Sequence, residues 1–75
     1  MEEDAIHAIG MVLAGLGGMF ERRGIATTYQ VAEMLGGLAA LCVEYGEERR
    51  GAYVGTWAHM VRAAARGAET HDSAS

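Results

Sequence analysis

Proline and lysine are absent from this 75-residue chain, and cysteine occurs once, as Cys42. Without proline, no position is barred from an α-helix by a missing N–H or a ring clash. One cysteine allows no disulfide within the chain and is too few for a thiolate zinc site. Large side chains for a core are also scarce, with one Phe, one Trp and three Tyr. The longest apolar stretch, Ala5 to Phe20, covers 16 residues and carries His7. A membrane span needs about 20 apolar residues, so membrane association is the least favoured setting. With no secretory pattern and a lone thiol, a reducing, cytoplasmic location is expected.

A domain of this length buries only about 60% of its unfolded surface and is marginal alone. With disulfides and metal set aside, close helix packing and oligomerisation remain as means of stabilisation. The net charge of −4 argues against a nucleic-acid backbone as partner.

What the chain does contain is 14 alanines, the best helix former, and 11 glycines, which oppose helix by up to about 1 kcal/mol each. The apolar spacing predicts an all-α fold, a small antiparallel three-helix bundle with helices over about 3–23, 28–50 and 53–66. Residues 1–67 form the single domain and 68–75 a mobile tail. Arg22-Arg23-Gly24 suits a helix C-terminus, and Thr27 with Gln30 three residues later reads as a capping box. Gly51 is placed at the break or bend between the second and third helices, and Gly67 as the last stop.

Three- and four-residue spacings define one apolar seam per helix. The seams are Ile6, Ile9, Leu13, Leu16, Phe20; then Val31, Met34, Leu38, Leu41, Tyr45; then Val54, Trp57, Val61, Ala64. Apolar residues also lie off these seams, and three short helices have too little bulk to cover them all. Met11, Val12, Met19 and Leu35, off the seams, and the aromatic cluster Tyr45, Tyr53 and Trp57 around the second turn are candidate interface residues of a homo-oligomer, a dimer first, or of a protein partner. Small residues recur every fourth position, as Gly10, Ala14, Gly18 and as Ala32, Gly36, Ala40. That spacing lets helices approach closely, within one chain or between two.

Chemistry is harder to find. Asp4 and Glu3 share a helical face with His7, but the buried Glu partners of a di-iron bundle are missing. Cys42 has only His59 as a conceivable base, and no nucleophilic triad or zinc-hydrolase pattern is present. Gly15-Leu16-Gly17-Gly18 falls inside a helix, where it cannot cradle a phosphate as a loop would. No catalytic residue, cofactor or metal ligand is assigned.

The expected function is a non-enzymatic helical interaction protein that self-associates and binds a protein. Its size suits an accessory or inhibitory factor such as a phage or mobile element encodes. An alternative is a helical oligomer that binds a phosphate-bearing small ligand or nucleotide. Its candidate anion site gathers Arg22, Arg23, Thr28, Arg62 and Arg66 at one end of the bundle, beside the start of the second helix.

Overall fold

The computed structural model describes the backbone of residues 1–74 and the side chains of residues 1–68. Three helices follow one another: α1 (Glu3–Arg22), α2 (Thr28–Glu44) and α3 (Glu48–Ala74). The described residues contain no strand. The helices pack up-down-up. Trp57 bonds back to Ile6 and the Met60 thioether lies over Gly10, so α3 runs alongside α1 in the same direction. α2 runs against both. The closest pair is α2 with α3, while α1 leans mainly on α3.

Both connections are short because both helices end in the same backbone device. Gly24 has φ +72° and Gly46 has φ +80°. In each case two backward bonds close the end: Ile25 N–H to Phe20 O and Gly24 N–H to Glu21 O, then Glu47 N–H to Cys42 O and Gly46 N–H to Val43 O. These are Schellman motifs, which need a residue in the left-handed region and so favour glycine. The start of α2 is also as expected. Thr27 Oγ1 accepts from Gln30 N–H at 3.0 Å, and Gln30 Oε1 accepts from Thr27 N–H at 2.8 Å.

The helix boundaries around Gly51 differ from the expectation. α2 stops at Glu44 and α3 begins at Glu48, so Gly51 lies inside α3 and is buried. A Cβ at Gly51 would sit 2.8 Å from Val43 Cγ2 and 3.0 Å from Ala39 O. This glycine is a contact surface between α2 and α3, and Gly46 is the terminator. Gly67 does not end α3, which continues to Ala74.

The core is small and made mostly of small side chains. Val31, Ala32, Leu35, Ala58 and Val61 form it, with Leu13, Ala14, Phe20 and Val54 packed around them. Among the described residues, Val61 is the one large side chain that is fully buried. On α2 the inward residues are Thr28, Val31, Ala32 and Leu35, followed by half-buried Ala39 and Cys42. The expected α2 seam is therefore turned outward: Met34, Leu38, Leu41 and Tyr45 are all exposed, and only Val31 faces in. Leu16 and Ala64 likewise lie on the outside of their helices. Alanine and glycine on the inward faces let the backbones come close, and bulk at those positions would hold them apart.

Candidate functional site

Helical periodicity places two long apolar faces on the surface. On α1, Asp4, Ala8, Met11, Gly15, Gly18 and Arg22 recur at alternating spacings of four and three, flanked by Val12 and Met19. Met11 is 72% exposed and Val12 is 62% exposed, while Met19 is partly covered. On α2, Met34, Leu38, Leu41 and Tyr45 line the outer face, with Gly37 among them. Tyr45 is 76% exposed. Glycines mark the middle of both faces: a Cβ at Gly15 or at Gly37 would meet nothing within 4 Å. Neither glycine is required by a contact within the chain.

The two faces differ in charge. The α1 face has Glu2, Glu3 and Asp4 at its start and Arg22 and Arg23 at its end. Glu21, the acid at that end, is turned toward α2, where its Oε1 accepts from Thr28 N–H at 2.9 Å. The end of the α1 face is left cationic. The α2 face has Glu33 and Glu44 along one flank and no basic residue within the helix.

Of the seven candidate interface residues, Met11, Val12, Met19 and Tyr45 are at the surface. Leu35 is not: at 5% exposure it belongs to the core, because α2 turns its small-residue side and Leu35 together toward α3. Tyr53 and Trp57 are half-buried and stack on each other with centroids 6.4 Å apart. Both tie down the start of the chain. Trp57 Nε1 donates to Ile6 O at 3.0 Å, and the Met1 ammonium donates to Tyr53 Oη at 2.9 Å. Met1, Cys42, Arg50, Tyr53, Val54 and Trp57 line an apolar pocket of about 280 Å³ beside this pair. The pocket offers a small space for a hydrocarbon or aromatic group, but no converging polar groups.

The same hydrogen bonds occupy backbone donors of the candidate anion site. Thr28 is buried at 7% exposure, and its N–H is taken by the Glu21 carboxylate. The Gln30 N–H is taken by Thr27. A carboxylate of the chain itself holds the place a phosphate would need, and it would repel one. Arg22, Arg23, Arg62 and Arg66 are exposed on the outside of their helices. The acid at the end of α1 was visible as Glu21, seven residues before Thr28; its role could have been read as an internal cap.

Other candidate chemistry is dispersed. His7 and His59 are exposed, Cys42 is half-buried, and no group of three His, Cys, Asp or Glu residues comes together among the described residues. Among the described residues, no helix is long and apolar enough to cross a membrane. No protein-family model matches this chain, and no curated protein or solved structure matches it significantly.

Proposed function

We propose that this chain is a small helical interaction protein that self-associates and binds a protein partner through a second apolar face. The observation that carries the reading is the amount of large apolar side chain left outside so small a core. Met11, Val12, Met34, Leu38, Leu41, Val43 and Tyr45 are all exposed at 43% or more, against a single large side chain fully buried among the described residues. Monomers rarely leave contiguous apolar surface of this kind uncovered, and burial is worth about 25 cal/mol per Å². The acids Glu33 and Glu44 beside the α2 face suit a partner with basic residues around an apolar stripe. The reading assigns no catalytic step.

Light scattering behind size exclusion, across a concentration series, tests self-association directly. The expected result is a dimer that dissociates on dilution. For the partner, the expected result is a protein retained by the wild type and lost with Leu38→Glu, which then rebinds in purified form. A chain that stays monomeric at every concentration and retains no such protein ends the proposal.

A further inference from the structure

We infer that the outer face of α1 is the self-association surface, closed by a second copy of the chain in antiparallel register with Asp4 facing Arg22 of the other copy. The inference rests on the self-association reading above and adds its surface, orientation and register. Residues 4, 8, 11, 15, 18 and 22 follow the four-three alternation of a coiled-coil seam. In a parallel pair, the acidic starts of two helices would meet, and so would their arginine ends. In an antiparallel pair, acid meets arginine at both ends through one two-fold axis, an isologous contact.

Size complementarity fixes the same register. With Asp4 opposite Arg22, Ala8 comes opposite Gly18 and Met11 opposite Gly15 of the second copy. Each of the four inner layers thus sets a small residue against its neighbour, so the helices can approach closely while Met11 fills the space above Gly15. This gives Gly15 a reason that its own chain lacks, since a Cβ there meets nothing. Val12, on the flank of the seam, falls beside the axis and meets the Val12 of the other copy. The α2 face does not share this pattern. Its flanking charges, Glu33 and Glu44, have one sign, and α2 itself carries no basic residue to set against them.

The test uses the full chain. Gly15→Leu raises helix propensity at an exposed position, so the fold should persist by circular dichroism while the dimer is lost by light scattering. Gly37→Leu, the same change at the equally open position on α2, should leave the dimer intact. In a Cys42→Ala background, Val12→Cys should form a disulfide-linked dimer. Met19→Cys should not, because the two copies of residue 19 lie about 18 Å apart along the antiparallel axis at 1.5 Å per residue. Asp4→Arg and Arg22→Asp should each weaken the dimer about tenfold, and the double variant should recover it.

Linkage at both cysteine positions would mean a parallel pair and overturn the inference. So would linkage at neither, or a double charge variant no better than the singles. A dimer broken by Gly37→Leu and not by Gly15→Leu would overturn the α1 assignment but keep the self-association reading. A monomeric wild type would remove both.

Discussion

The two faces of α2 are both apolar, yet they do opposite things. The inward face carries Thr28, Val31, Ala32, Leu35, Ala39 and Cys42, mostly small, and it packs directly on α3. The outward face carries Met34, Leu38, Leu41 and Tyr45, each exposed at 43% or more. The same inversion holds on α1, where Gly10 and Gly17 are buried while Met11 and Val12 point out. Hydrophobic bulk alone therefore does not mark the core of this protein. Closeness of approach does: two backbones separated by alanine and glycine bury their surroundings more completely than a layer of long side chains that three short helices could not enclose.

If that contrast is right, adding volume should hurt on the inside far more than removing it does on the outside. Ala32 is 0% exposed, so Ala32→Leu must force α2 away from its neighbours. Overpacking of this kind costs about 1–3 kcal/mol. Gly51→Ala should have a comparable effect through a different atom. Val43 Cγ2 can move aside, but Ala39 O is backbone and stands 3.0 Å from the new Cβ. Urea denaturation at a fixed low protein concentration would measure both, and a midpoint unchanged by Ala32→Leu would break the comparison.

These interior positions also show how far the sequence could be read. Three antiparallel helices, the Gly24 stop and the Thr27–Gln30 capping box were legible, because each is a local pattern with a local cause. The α2 orientation was not. A seam of Met34, Leu38, Leu41 and Tyr45 has good three-four spacing, but Thr28, Val31, Leu35, Ala39 and Cys42 also recur at threes and fours. Periodicity gives the existence of a face without saying which of two faces turns inward. Gly51 was expected at the break, a place that Gly46 takes, for a similar reason: each is a glycine near the end of an apolar pattern, and only contact with Ala39 and Val43 tells a packing glycine from a terminating one. At the start of α2 the Arg residues stand out in the sequence, while Glu21, whose carboxylate takes the Thr28 N–H, lies seven residues away from its partner.

A smaller effect is expected at the join between α1 and α2, which sets the angle between the helices carrying the two uncovered faces. Thr27→Ala removes the acceptor for Gln30 N–H and should cost about 1 kcal/mol, the usual loss for an N-cap. Glu21→Gln keeps an oxygen that can accept from Thr28 N–H but removes the charge beside the helix start, a loss of about 0.3–1 kcal/mol. Thermal melts of the two variants would rank them. If Glu21→Gln cost more than Thr27→Ala, the Glu21 carboxylate would be the main cap of α2.

The smallest effects belong to the outer face itself. Leu38 is 45% exposed and Gly37 has open space around it. Leu38→Gln should change the stability of the isolated fold by less than about 0.5 kcal/mol, as surface substitutions usually do. Gly37→Ala should stabilise the fold, by up to about 1 kcal/mol, since glycine is the poorer helix former and no neighbour objects to the methyl group. The pair is informative because the signs differ. A chain selected only for its own stability would not keep Gly37 and Leu38 side by side on an open helix, where one weakens the helix and the other contributes little burial. A clear loss of stability from Gly37→Ala in urea would instead mean that something already packs on the α2 face in solution. In that event both uncovered faces would have to be counted as contacts of the assembled protein.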